Sequence, residues 1–308
     1  MTAYIVRRLA LMVPLLVGVS LVTFTLLYLV PGDPVQSLVG ERATPQMVES
    51  IRRELGLDLP LHLRYGRWLA RTVRGDLGRS WATHRPVMVS LIDRFPITLK
   101  LSVLAFALST LLGVTVGVAT AVREEAGGDH LARWALLGGQ SVPIIYLCLV
   151  FMYVFGVWLR LTPVSGLGDG SIRYFLLPAG ALGLYTSVYK ARMTRSAMLE
   201  VLRQDYIRTA RAKGLSERVV IYRHALKNAM VTVVTVLGAG LSALLVGSVL
   251  TETVFGLPGI GKLQIDGVYA RDFPVVMGCF LFQAVVLSFT NLAMDMAYAW
   301  ANPRIRFD

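Results

Sequence analysis

Six runs without a single charged side chain constrain this chain more than any other feature. They fall at 9–32, 101–122, 134–159, 174–189, 228–251 and 273–294. About 20 apolar residues in helical form cross a bilayer. Inside hydrocarbon every backbone N–H and C=O needs a partner within the segment, and a helix supplies one. The runs therefore predict an all-α polytopic membrane protein with six transmembrane helices. Composition agrees, with 55% hydrophobic and 16% charged residues, far from the balance of a soluble domain.

The first run resembles a secretory signal, because Arg7 and Arg8 precede it. A signal core has about 7–15 apolar residues and ends at a small-residue cleavage site. This run is longer and ends in Pro31-Gly32-Asp33-Pro34, so it is expected to remain as the first span. The net charge of +12 is spread over loops between apolar runs, which argues against a nucleic-acid partner. Cys148 and Cys279 lie inside apolar runs and read as small packing residues. His62, His84, His130 and His224 show no metal-ligand spacing.

Residues 35–96 are too long for a simple connection and carry helix signals of their own. Thr44 ahead of Pro45 suits a helix start, Met47, Ile51 and Leu55 share a face, and Gly56 can end the helix. Leu61, Tyr65, Trp68 and Leu69 suggest a second helix, and Gly75-Asp76-Leu77-Gly78 a turn. A small helical cap on the membrane surface is expected. In the second run, Gly113 and Gly117 stand four apart, a spacing that lets helices approach closely.

An even number of spans puts both termini on one side. Basic residues in short loops favour the cytoplasm, and Arg7, Arg8, Arg123, Arg133, ten cations from Lys190 to Lys227, Arg304 and Arg306 then fall inside. Only Arg160, Arg173, Lys262 and Arg271 mark the short outer loops. The expected organisation is a first transmembrane helix at 1–34 and an extracytoplasmic helical cap at 35–96. A five-helix core follows at 97–298, with a cytoplasmic loop at 190–228, and a cytoplasmic tail at 299–308.

The loop holds the segment Asp205-Tyr-Ile-Arg-Thr-Ala-Arg-Ala-Lys-Gly214. Leu199, Leu202, Tyr206 and Ala210 recur at intervals of three and four, predicting one apolar helical face, with Arg203, Arg208 and Arg211 turned elsewhere. Gly214 is placed to stop this helix, and Ser216 ahead of Glu217 to cap another. A helix, a sharp glycine corner and a second helix are predicted. An amphipathic linker resting on anionic headgroups has the same composition.

Gly256-Leu-Pro-Gly-Ile-Gly261-Lys262-Leu263 nearly spells a phosphate-binding loop, but Leu263 replaces the Ser or Thr whose hydroxyl holds magnesium. No soluble strand precedes it either. The chain shows no nucleophile elbow, no zinc helix motif and no paired carboxylates, so it reads as no enzyme, with no cofactor of its own. Lys100, Lys190, Arg192, Glu252 and Asp295 lie towards the ends of spans, where snorkelling or helix-end pairing is expected. The lack of a charge near midspan counts against an ion-coupled carrier.

These residues resemble a known family, the permease subunits of bacterial ABC importers of the dipeptide and oligopeptide group (DppB/OppB-like). The likeness rests on Pro31-Gly32-Asp33-Pro34, Leu55-Gly56-Leu57-Asp58, Gly75-Asp76-Leu77-Gly78, Glu252-Thr-Val-Phe255 with Pro258-Gly259, and Asn302-Pro303-Arg304-Ile305-Arg306. The cytoplasmic loop resembles the family's ATPase-docking signature, Glu-Ala-Ala followed by three residues and Gly. The matching positions are Arg208, Thr209, Ala210 and Gly214, and His224-Ala225-Leu226 extends the match. The first two depart from the general pattern, although Arg-Thr-Ala-Arg-Ala-Lys-Gly is how the peptide group usually writes it.

The resemblance implies a type I ABC importer permease fold in the bacterial inner membrane. It implies a second homologous permease, two cytoplasmic ATP-binding subunits that hold ATP and Mg, and an extracytoplasmic substrate-binding protein that can dock on the cap. Asp205, Tyr206, Arg208, Thr209, Ala210, Gly214, Leu215, Ser216 and His224 would form the ATPase-coupling loop. The cargo implied is a di- or oligopeptide, with glutathione or a nickel complex as alternatives within the family. A stand-alone secondary transporter or channel, or a scaffold protein, is the reading from other classes.

Overall fold

The structure is a computed structural model and describes residues 2–29, 35, 44–54, 56–125, 138, 139 and 141–301. Pro31-Gly32-Asp33-Pro34, Leu55, His130, Arg133 and the motif at 302–306 lie outside the described residues.

In chain order the helices are α1 (Thr2–Leu29), α2 (Pro45–Glu54), α3 (Leu61–Val73), α4 (Val87–Glu125) and α5 (Ile144–Phe151), which continues in π-type turns over Met152–Trp158. Then come α6 (Arg173–Leu202) and α7 (Asp205–Ala212). A single turn at Glu217–Val219 leads through π-type turns at Val220–Ala225 into α8 (Leu226–Gly247). The described residues end with α9 (Val249–Val254), α10 (Ile260–Tyr269) and α11 (Phe273–Ala301). Among the described residues extended pairing is confined to one isolated bridge, Arg79 with Pro86.

Among the described residues three helices are long and apolar enough to cross a membrane, over Tyr4–Leu27, Val87–Arg123 and Phe273–Met296. Glu217–Met230 and Thr232–Leu245, bent by 54° where they meet, make a fourth if the pair is one span. Helix length and composition thus account for three or four of the six expected spans. With the bent pair taken as one span, two runs remain. In the third, Pro143 holds an extended conformation (φ −62, ψ 140) directly ahead of the shorter apolar helix Ile144–Trp158, and residues 134–137 and 140 lie outside the described residues. The fourth run, 174–189, is the first half of α6, which continues through Lys190, Arg192 and Arg195 to Leu202.

The chain forms two compact units. The first takes in Met1–Thr98 and Pro258–Leu292. Its cap helices follow the expected chemistry: Thr44 Oγ1 accepts from the Met47 N–H at 3.3 Å and α2 ends at Glu54, ahead of Gly56. Tyr65 fastens α3 to α1, its hydroxyl 2.9 Å from Ser20 Oγ and its ring 5.3 Å from that of Phe24. Leu77, Val87, Leu91, Ile260, Leu263, Val275 and Cys279 form a buried cluster. Asp272, at the start of α11, accepts from Ser80 Oγ and from the Ala82 N–H at 3.2 Å, clamping the turn after Gly78. In the stretch that imitates a phosphate loop, the Ile260 N–H donates to Thr98 Oγ1 at 2.9 Å and Lys262 pairs with Asp266 at 3.0 Å. Protein groups therefore occupy the amide and the lysine that a phosphate would use.

The second unit takes in Leu99–Leu257 and Ala293–Arg306. Here α4 and α6 run close together at the two glycines. A Cβ added at Gly117 would lie 2.6 Å from the Ala191 carbonyl oxygen and from Thr194 Cβ. One expectation is corrected in this unit. Lys190 sits in the middle of α6 with 2% of its surface exposed, so it does not snorkel. Its ammonium donates to Ser109 Oγ at 2.6 Å and Thr110 Oγ1 at 3.1 Å, and stands 4.2 Å from the Phe106 ring centroid. Glu252 is also fully buried and accepts from Ser248 Oγ at 2.8 Å. Hydropathy marks a charge as the end of a span. A long helix carries it onward when neighbouring hydroxyls can hold it.

Candidate functional site

The loop after α6 is built from two breaks and one anchored helix. The first break is at Arg203 and Gln204, where α6 stops and Gln204 turns extended (φ −75, ψ 149). No glycine or proline announces it. It resets the helical phase, so the apolar face differs from the one expected by periodicity. Leu202, Ile207 and Ala210 are buried, while Tyr206 is 42% exposed.

Ile207, fully buried, is the anchor that the spacing argument missed. With Ala210 it joins Val118 and Ala121 of α4, Met198 and Leu202 of α6, Val220, Ala225, and Ala229 of α8 in one buried cluster. Burying a side chain such as isoleucine contributes about 1.5–3 kcal/mol. α7 is therefore held against three long helices of its own unit.

The second break is the glycine corner. The Gly214 N–H donates to the Arg211 carbonyl at 2.9 Å and the Leu215 N–H to the Ala210 carbonyl at 3.4 Å. This is the Schellman arrangement, which requires a left-handed residue at the glycine position. Gly214 has φ +76. Ser216 then occupies the cap position of the turn at Glu217–Val219 (φ −62, ψ 142), with no bond from its side chain to the helix. Its carbonyl instead accepts from the Val219 and Val220 N–H groups, at 2.9 and 3.0 Å. Across the corner Arg211 Nε donates to Glu217 Oε1 at 2.8 Å, a tie that neither motif nor spacing had indicated.

All the remaining positions except His224 are exposed. Asp205 opens α7, its carbonyl accepting from Thr209 Oγ1 at 3.0 Å and its carboxylate 3.5 Å from Arg208. Arg208 and Thr209 are exposed, as are Gly214, Leu215 and Ser216. His224 is half-buried in the π-type turns and its carbonyl accepts from Asn228 Nδ2 at 2.8 Å. Tyr206, Arg208, Thr209 and Leu215 thus offer a mixed apolar and basic surface on a helix whose back is fixed. Such a surface can receive a partner and pass on its movement; it contains no group arranged to break a bond.

The long apolar helices make this a membrane-embedded, helical protein. Residues 113–307 match the family described as binding-protein-dependent transport system inner membrane component, and residues 1–102 match the N-terminal family of such membrane components. The chain belongs to this family. It is 40% identical over 336 residues to the dipeptide transport system permease protein DppB of Escherichia coli (strain K12), covering 99% of each chain. It is 41% identical over 333 residues to the di/tripeptide transport system permease protein DppB of Pseudomonas aeruginosa, again over 99% of each. The DppB dipeptide permease of Alkalihalophilus pseudofirmus is 38% identical over the whole of both chains.

Among solved structures, the inward-facing MetNI methionine ABC transporter matches with a TM-score of 0.59 at 20% identity, over 70% of this chain and 97% of that one. An amino acid ABC transporter gives 0.51 at 16% identity, over 70% and 94%. These likenesses show the fold. The chain is a multi-pass inner-membrane permease subunit, non-catalytic itself, of an ABC transporter that also employs ATPase subunits and a binding protein.

Proposed function

We propose that this chain forms half of the translocation pathway of an ATP-driven importer of di- and oligopeptides. A second homologous permease completes the pathway, and two cytoplasmic ATP-binding subunits, holding ATP and Mg, drive it. Both termini and the loop at 190–228 face the cytoplasm, and the cap at 35–96 faces outward, where the substrate-binding protein docks. The peptide cargo is argued from the full-length likeness to permeases named for dipeptides.

The observation that carries the mechanism is the braced corner around Gly214. α7 is anchored behind by Ile207 and Ala210 and joined to the helix entering α8 through a turn with two backbone bonds and one ion pair. When the ATPases close on ATP, a rigid helix seated on each can convert closure into a tilt of the attached spans. A loose linker would absorb the movement.

The test is to purify the chain gently from its native membrane and rebuild what accompanies it in proteoliposomes. A second permease and ATP-hydrolysing subunits should co-purify, and dipeptide uptake should require both ATP and the binding protein. Uptake by the chain alone, abolished by a protonophore and indifferent to ATP, would overturn the reading.

A further inference from the structure

The first unit contains an open cavity of about 1330 Å³ between the cap helices, α1 and the residues flanking Asp272. A typical small-molecule pocket is about 300–1,000 Å³, so this one has room for a ligand of two or three amino acids together with water. Its walls are not neutral. Five arginines line it against three carboxylates, Glu54, Asp58 and Asp76.

The arginines are ordered. Arg64, Arg67 and Arg71 stand at intervals of three and four on α3, which places them along one helix face over two turns. Among the described residues neither Arg67 nor Arg71 has a carboxylate partner, and the cavity-lining Trp68 keeps a buried indole N–H without an acceptor. Partial burial brings the Arg64 cation down to about 10, while Arg67 and Arg71 stay exposed to the open cavity. Arg79 contributes a further guanidinium from the turn, 3.4 Å from the His84 carbonyl. Trp81 and Phe273, with centroids 5.3 Å apart, add an apolar surface to the same lining.

A row of forked donors recognises carboxylate, aromatic rings take an apolar side chain, and Glu54 and Asp58 near the end of α2 can face an ammonium. We propose that this cavity binds a short zwitterionic peptide, its free C-terminal carboxylate on Arg67 and Arg71 and its N-terminal ammonium towards Glu54 and Asp58. The site receives the cargo on the outer side before it passes between the permeases. This rests on the peptide-importer reading and on the outward cap.

The test uses the intact permease and ATPase assembly in nanodiscs of neutral lipid, without binding protein, and the dipeptide Ala-Phe as probe. Saturation-transfer NMR should detect Ala-Phe, with binding about ten-fold weaker for its C-terminal amide. Arg67→Gln with Arg71→Gln should weaken Ala-Phe by a similar factor and abolish the preference for the free acid. Arg67→Lys with Arg71→Lys should retain part of that preference, which guards against a merely misfolded double variant. Equal binding of acid and amide, or of wild type and the Gln variant, overturns the site.

Two other outcomes also overturn it. Loss of Ala-Phe binding when anionic lipid is added would assign the arginines to headgroups. Unchanged Ala-Phe binding in the Gln variant, with weaker association of the binding protein, would make the wall a protein dock. Failure of the broader reading looks different, because the wild-type importer would then move no dipeptide at all.

Discussion

Arg211 and Glu217 face each other across the glycine corner, Arg211 Nε 2.8 Å and Nη2 3.4 Å from the two carboxylate oxygens of Glu217. The pair joins the last turn of α7 to the first turn beyond Gly214, so it braces the angle between them. Both side chains are partly exposed, at 33% and 59%, and such pairs contribute only about 0.2–1 kcal/mol to stability. Its effect should therefore appear in coupling more than in folding. Arg211→Glu is expected to lower dipeptide uptake per ATP hydrolysed with little loss of assembled complex. Arg211→Glu with Glu217→Arg should restore much of it. Failure of the double exchange to recover coupling would show that the bridge is incidental.

Gly214 should give a graded series. An added Cβ meets nothing within 4 Å, so Gly214→Ala pays only for a left-handed conformation, about 1–2 kcal/mol. Gly214→Pro loses the N–H that bonds the Arg211 carbonyl, and its ring fixes φ near −65, against the +76 required here. The alanine variant should retain partial coupled uptake. The proline variant should remain in the membrane with its ATPases and hydrolyse ATP without moving peptide. Normal coupled uptake by the proline variant would remove the corner from the mechanism.

Where the chain dictates its own geometry, the sequence was readable. Gly214 could be foreseen as a corner because a left-handed residue after a helix is nearly always glycine. Thr44 and Pro45 could likewise be read as the start of α2. The inner face of α7 could not, since the break at Arg203 and Gln204 carries no local signature and sets whether Tyr206 or Ile207 turns inward. Lys190 was misread for a related reason. Hydropathy records its charge, whereas its burial depends on Ser109 and Thr110, some eighty residues earlier in the chain. The π-type turns at Met152–Trp158 and Val220–Ala225 were not foreseen at all, because an extra residue per turn changes no composition.

Gly117 should tolerate no side chain. Its added Cβ would be 2.6 Å from a backbone oxygen of α6, which cannot swing away as a side-chain tip could. Overpacking of a tight site costs about 1–3 kcal/mol, and a branched residue more than alanine. Gly117→Ala should lower the thermal midpoint of the purified chain in detergent, and Gly117→Val should lower it further or prevent recovery. Equal midpoints for all three would mean that α4 and α6 are not in close contact at this point.

Asp272 should stabilise the first unit through the turn it clamps. Its carboxylate accepts from Ser80 Oγ and the Ala82 N–H, and the residue is 2% exposed. Asp272→Ala leaves those two donors without their acceptor, at about 1–3 kcal/mol. Limited proteolysis should then cut first within residues 79–85. A digestion pattern identical to wild type would show that the turn is held by other contacts.

Lys190 separates volume from charge. Lys190→Ala removes a long side chain from between α4 and α6, where its Cβ lies 2.6 Å from the position of a Cβ on Gly113, and its Cε 3.1 Å from the position of a Cβ on Gly240 of α8. The cavity left by comparable truncations costs about 2–5 kcal/mol. Ser109 Oγ keeps its bond to the Phe106 carbonyl at 3.0 Å, so the hydroxyl is not orphaned and little is added for lost polarity. Lys190→Met fills similar space and removes a buried charge that among the described residues is held by hydroxyls and a ring rather than a carboxylate. Replacing buried ions with apolar groups of similar volume is often neutral or stabilising. Thermal midpoints in detergent should therefore rank the methionine variant at or above wild type and the alanine variant well below. If methionine is as damaging as alanine, the ammonium itself, through Ser109, Thr110 and Phe106, holds the three helices in register.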